Sequence, residues 1–326
     1  MPGVLVRLGM AAAALCVCAG AHAETITVRG TFAPDAAIPA DTELIVIERF
    51  EGDLGQDVEF ALADALAEVQ IRGEPWFDVI SPEALANAVV EIELEDGSTT
   101  TEPLVADAQL RGSARSESIE RDLDPKIVRD CVKRDNERKC IEYKETVYAC
   151  RELTVRVDPR VVLIGADGRQ MYSHASPKIE TRRYCTDEYN LPSVLDMANG
   201  MVGSIVATIR RDLAPGTYSR SVRIMESRSG LNRADRNAFR DAVRMTDNDP
   251  FGACLAFEAL EASNPQHLSV LFNIGLCREA SSDLDLAIAY YRRALEVDAG
   301  HDYPTSGIAR VIGRQRGEAY VARRGE

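Results

Sequence analysis

The chain has 326 residues and a formal net charge of −14, with 45% hydrophobic and 6% aromatic residues. That acidity excludes nucleic acid or an anionic membrane as the main partner, because both demand a basic surface. The length is enough for two domains, each burying a core of its own.

Residues 1–23 carry one positive charge at Arg7, an apolar run from Leu8 to Ala19, and an Ala21-His22-Ala23 ending. This is the pattern of a secretory signal peptide, cut before Glu24. A membrane anchor is the alternative, but the run is about a dozen residues against the roughly 20 needed to cross a bilayer. Lipid attachment needs a small residue before the modified cysteine, whereas Cys16 follows Leu15 and Cys18 follows Val17. The later apolar stretch from Met197 to Ile209 is also too short to span. The expected protein is therefore periplasmic or secreted, with the membrane not spanned.

Along the chain, Thr42 to Phe50 reads as a buried strand, and Phe60, Ala63, Leu66 and Ala67 recur at helical spacing after it. Trp76 to Ile80 is a second strand, and Ser81-Pro82 caps another helix. Ala108 to Ser118 is a further strand candidate. Ile127 to Cys185 alternates as antiparallel hairpins do, with turns at Asp135-Asn136 and Asp167-Gly168. Pro192 opens a long helix whose stripe is Val194, Leu195, Ala198, Met201, Val202, Ile205 and Ile209. Tyr218 to Ile224 returns as a strand, and 227–233 is a linker.

Beyond the leader the cysteines are Cys131, Cys140, Cys150, Cys185, Cys254 and Cys277. An even count in an exported chain, without CxxC spacing, favours disulfides over metal, with buried free thiols as the alternative. Cys131 and Cys140 are equidistant from Asp135-Asn136, and a two-residue turn there would set them directly opposite one another. Cys150 and Cys185 are equidistant from Asp167-Gly168, and Cys254 and Cys277 flank Asn264 to His267 symmetrically. Those spacings predict the pairs 131–140, 150–185 and 254–277.

No catalytic, cofactor or metal site is expected. His174, His267 and His301 are the histidines beyond the leader, and none accompanies a nucleophile motif. Gly52-Asp53-Leu54-Gly55 could bind an anion through backbone amides but reads first as a strand-to-helix turn. Asp247 with Asp249 lacks the glycine and closing glutamate of a calcium loop. Glu93, Glu95 and Asp96 read as a solvated turn.

Leu268, Leu271, Ile274, Gly275, Ala287, Tyr291 and Ala294 fit the 34-residue pattern of large, small and aromatic positions, with Ala253, Phe257 and Pro265 one period earlier. In these residues the chain resembles the tetratricopeptide-repeat family. The resemblance implies a scaffold that recognises a partner peptide or protein. It also implies that Asn273 faces peptide backbone. Arg310 and Arg314, spaced i and i+4 in a locally basic segment, read as steering a carboxylate into the groove, or instead as pairing with Glu318 or with the acidic first domain. The ELIVIERF strand, the helix after it and the strand from Gly73 to Ile80 resemble a small α/β envelope fold. It is that of the curli-secretion subunit, penicillin-binding-protein activators and the TolB amino-terminal domain, and the likeness implies a non-catalytic assembly role. The expected class is α+β, with an α/β sheet domain at 24–226 followed by an all-α tetratricopeptide-type domain at 234–326. The expected function is an adaptor that binds an envelope protein or peptide; a hydrolase assembled from dispersed carboxylates is the alternative.

Overall fold

The computed structural model describes residues 24–93 and 98–325. The leader at 1–23, with Cys16 and Cys18, lies outside the described residues, as do Glu95 and Asp96. In chain order the elements are β1 (Thr25–Phe32), β2 (Leu44–Ile47), α1 (Gly55–Ala67), β3 (Gln70–Ile71), β4 (Glu74–Pro75), β5 (Asp78–Ile80), α2 (Pro82–Ala86), β6 (Val89–Glu93) and β7 (Thr99–Pro103). Then come β8 (Ala108–Arg134), β9 (Cys140–Gly165), β10 (Gln170–His174), β11 (Lys178–Cys185), α3 (Val194–Leu213) and β12 (Gly216–Arg223). The chain ends with α4 (Arg233–Met245), α5 (Pro250–Glu261), α6 (Leu268–Ala280), α7 (Leu284–Val297) and α8 (Asp302–Ala322), and a short 3-10 turn at Arg323–Gly325.

These elements fall into two units: one joins the chain up to Val28 to Arg220–Ile308, the other joins Arg29–Ser219 to Ala309–Glu326. The expectation of a sheet domain followed by an all-α domain is therefore corrected. The helix-rich unit contains the start of β1 and the end of β12, which pair with each other, and α8 is divided between the two units. The C-terminal helices do not form a separate all-α repeat domain. The physical reason is that the chain returns: β12 pairs with the first strand, so helical periodicity alone could not show that a strand ribbon belongs with the helices.

The sheet unit is built on a six-stranded sheet in the order β10-β9-β8-β2-β5, with β11 also on β9. β2 runs parallel to β5 and β8, and the rest is antiparallel. Helices α1 and α3 pack on this sheet and on each other. On α1 the buried stripe is Val58, Leu62 and Leu66, at spacings of four, and Phe60 is 56% exposed. Of the expected face, Leu66 is buried and Ala63 half-buried, whereas Phe60 and Ala67 are exposed. On α3, Met197, Ala198, Met201, Val202, Ile205, Val206 and Ile209 are buried, whereas Val194 and Leu195, expected in the stripe, are exposed. The Ser193 side chain accepts from Asp196 N–H and places the helix start one turn before the buried stripe.

The disulfides are Cys131–Cys140, Cys150–Cys185 and Cys254–Cys277, with Cα–Cα distances of 5.8, 4.0 and 5.6 Å. Cys150 and Cys185 face one another in the ladder, although Gln170–Tyr172 carries a bulge. Cys131 and Cys140 do not sit opposite each other, because Cys131 faces Tyr143 and Cys140 faces Arg134. The expected two-residue turn is a five-residue loop, closed by Asp135 N–H to Lys139 O and by Asp135 Oδ1 accepting from Glu137 and Lys139 N–H. Arg138 takes a left-handed φ of 65° there. The bridge is thus diagonal, across a bulge beside Val132.

Candidate functional site

The helix-rich unit holds a cleft of about 610 Å³. Three consecutive residues of β1, Thr25 to Thr27, form one wall, so the cleft runs along that strand. In its ribbon β1 has β12 on one side only. The opposite wall is α5, where Asp249 Oδ1 accepts from Gly252 N–H and Pro250 fills the first turn. This helix buries Ala253, Phe257 and Leu260 and turns Phe251 and Leu255, one turn apart, into the cleft at 75% and 51% exposure. The Cys254–Cys277 bridge forms the floor between α5 and α6.

The polar end is formed by Arg278 and Glu258, paired at 2.9 Å and each about a third exposed. The Arg278 Nε–H is buried and, among the described residues, makes no hydrogen bond. With Asp247 and Glu258 against Arg278, the lining carries one net negative charge. This arrangement offers an apolar platform and a strand edge. It suits an extended peptide better than a small anion, because the lining is net acidic and an added strand supplies apolar side chains for Phe251 and Leu255. Among the described residues no group of three His, Cys, Asp or Glu side chains could hold a metal ion.

Asn273, expected to read a partner's backbone, is fully buried on α6. Its side chain accepts from Met225 N–H and donates to Met225 O, both at 2.9 Å. It does grip an extended backbone, but that backbone is its own chain, running on from β12. Arg314 belongs to the sheet unit and is 7% exposed. Its Nε donates to Glu318 Oε1 at 2.6 Å, and its stem lies against Gly30. It is a packing and capping residue, and burial removes it from any groove. Arg310 is half-buried with interactions of its own. The structure therefore does not join Asn273, Arg310 and Arg314 into one site.

The histidines are structural in placement. His267 caps α6 by accepting from Val270 N–H, and its Nε2 lies 2.9 Å from Ser229 O. His301 Nδ1 accepts from Tyr303 N–H. His174 is 9% exposed on β10, and burial pushes its imidazole pKa down against the pull of Asp212. At the Gly52 to Gly55 turn, the Asp53 carboxylate accepts from Ser116 N–H, so the turn is tied down by its own chain. Sequence reasoning missed Phe251, Leu255 and Arg278. The available signal was a pair of apolar residues at i and i+4 on the side of α5 opposite Ala253 and Phe257.

No protein-family model matches the chain, and no curated protein matches it. Two solved structures are distantly similar. One, described as a neuraminyllactose-binding hemagglutinin homolog from Helicobacter pylori, is 10% identical over 55% of this chain and 87% of its own, with a TM-score of 0.26. The other, a PelC dodecamer from Paraburkholderia phytofirmans, is 12% identical over 57% of this chain and 99% of its own, with a TM-score of 0.22.

Proposed function

We propose that the protein is a non-catalytic exported adaptor that binds an extended segment of a cell-envelope protein along β1, in the cleft walled by α5. The observation that carries this reading is the exposed pair Phe251 and Leu255, lining the same cleft as an edge strand. Strand addition would give affinity through main-chain hydrogen bonds, and the two apolar side chains would select the register. Three disulfides fit a non-cytoplasmic protein, and no described helix is long and apolar enough to cross a membrane. Export to the periplasm or beyond, by way of the 1–23 leader, belongs to this proposal. We read the α6–α7 pair as a single tetratricopeptide-type repeat. In support, a Cβ on Gly275 would lie 2.8 Å from the Tyr291 ring, the close approach that such a small position permits.

The test is site-specific photocrosslinking in the native envelope. A photoreactive residue at position 251 or 255 is expected to trap a discrete protein adduct, and one at exposed Phe60 in the sheet unit is not. Equal labelling at all three positions would reject the cleft as the binding site.

A further inference from the structure

β11 ends opposite Cys150, yet β8 and β9 run on to a loop at Asp135. Residues 124–149 thus form a two-stranded arm. Such ribbons are marginal alone in water, and this one is locked at its root by Cys150–Cys185 and at its tip by Cys131–Cys140. One face of the arm is set by the ladder, in which Ile127 faces Val147, Arg129 faces Glu145 and Cys131 faces Tyr143. Ile127, Val147 and Tyr143 are 56%, 61% and 59% exposed, a concentration of bare apolar side chains that marks an interaction surface.

We propose that this face binds the same face of a second copy of the chain. Its charge pattern is self-complementary about a two-fold axis parallel to the strands. That operation lays Ile127 over Val147 of the second copy and Arg129 over Glu145 of the second copy, and the reverse. The two ion pairs, each 2.7 Å within its own arm and more than half exposed, become a four-charge cluster with alternating signs, flanked by apolar residues. An axis across the strands instead sets Arg129 over Arg129, which disfavours it. The arm is about ten residues long, or about 33 Å, and two strands wide, so the faces bury roughly 700 Å² together. This is below the roughly 1,200 Å² of standard stable interfaces, and the dimer is accordingly a weak, concentration-dependent one.

Sedimentation velocity of the mature, oxidised protein from about 1 to about 300 µM, a range that reaches the concentrations a weak interface needs, tests the proposal. The wild type is expected to pass from monomer to dimer within it. Arg129→Glu makes the central charges all acidic and Glu145→Arg makes them all basic, so each variant alone is expected to weaken association by at least about tenfold. An equimolar mixture of the two variants regains wild-type association, which a role confined to one arm does not produce. Circular dichroism checks that both variants fold, and Val147→Lys, on the apolar part of the same face, supplies an independent loss of dimer. A wild type that stays monomeric throughout, single variants that associate like wild type, or a mixture no better than its components would each overturn the proposal.

Discussion

Near its start β8 lies under α1, and β9 lies under α3, whereas beyond residue 124 the same two strands pair only with each other among the described residues and their apolar side chains are exposed. The alternation is similar in both halves. On β9, Leu153, Val155, Val157, Val161 and Leu163 are all buried, and the positions of the same parity further out, Val147 and Tyr143, are exposed. The comparison shows that a period of two reports which residues share a face and says nothing about what covers that face. Burial at the root comes from Met201, Val202, Ile205 and Ile209 of α3 and from the stripe on α1. The arm keeps its shape through two disulfides and a ladder of hydrogen bonds.

The bridges should break this comparison most strongly. Cys150–Cys185 closes a separation of 35 residues and Cys131–Cys140 one of 9. Loop entropy therefore predicts a loss of about 4 kcal/mol for a Cys150→Ser, Cys185→Ser protein and about 3 kcal/mol for removing the tip bridge. Denaturant unfolding of the two double variants checks the order. The next largest effect is in side-chain packing. Leu163 is fully buried, so Leu163→Ala should cost about 3 kcal/mol, while Val147→Ala on the arm should stay within about 0.5 kcal/mol.

How much of this was legible follows from the same contrast. The disulfide partners were, because equal spacing from a turn survives a change of turn type. The register at the tip was not: a left-handed Arg138 and the bulge near Val132 move Cys131 off Cys140 without changing the count between them. The long helix was placed correctly from Ser193 onward, but its first apolar residues, Val194 and Leu195, overrun the sheet and stay exposed. The helices after residue 233 were legible as helices. Their sharing of a unit with β1 was not, since that depends on a pairing between β1 and β12, which lie far apart in the sequence. The cleft was illegible for the same reason, because Thr25 to Thr27 and Phe251 are separated by most of the sequence.

A smaller effect is expected where the last turn of the chain closes the root. Arg324 stacks on Trp76 at 3.6 Å. It also donates to the backbone oxygens of Ala40, Thr42 and Trp76. Ala40 and Thr42 lie in the loop before β2 and Trp76 between β4 and β5, so these carbonyls have no ladder partner to replace Arg324. Arg324→Ala should destabilise the sheet unit by about 2 kcal/mol. Trp76 is the single tryptophan, so its emission should shift in the folded variant. An unchanged spectrum would show that the clamp is not formed in solution.

The smallest effect expected is electrostatic and sits on the border between root and arm. Glu152 on β9 lies between Arg121 of β8 and Arg183 of β11, joining three strands just before the third one stops. Its side chain is 6% exposed, although both arginines are largely in solvent. Hydrogen bonds from Arg183 and then Arg121 hold the Glu152 carboxyl below its usual range. The folded state therefore binds this proton less readily than the unfolded chain does. The stabilisation is present in full above the ordinary carboxylate pKa of about 4.5, and it is lost as the pH falls through the lower folded value. Glu152→Gln keeps the shape and removes the charge. Against that variant the wild type should be the more stable at pH 6, with the gap closing only below about pH 4.5. Hydrogen exchange of the β9–β11 amides near Arg151 and Tyr184, followed over that range, locates the change at the root of the arm. A gap that stays constant with pH would mean that the two arginines are satisfied by solvent and that the third strand is held there by its backbone ladder and Cys150–Cys185 without help from this charge cluster.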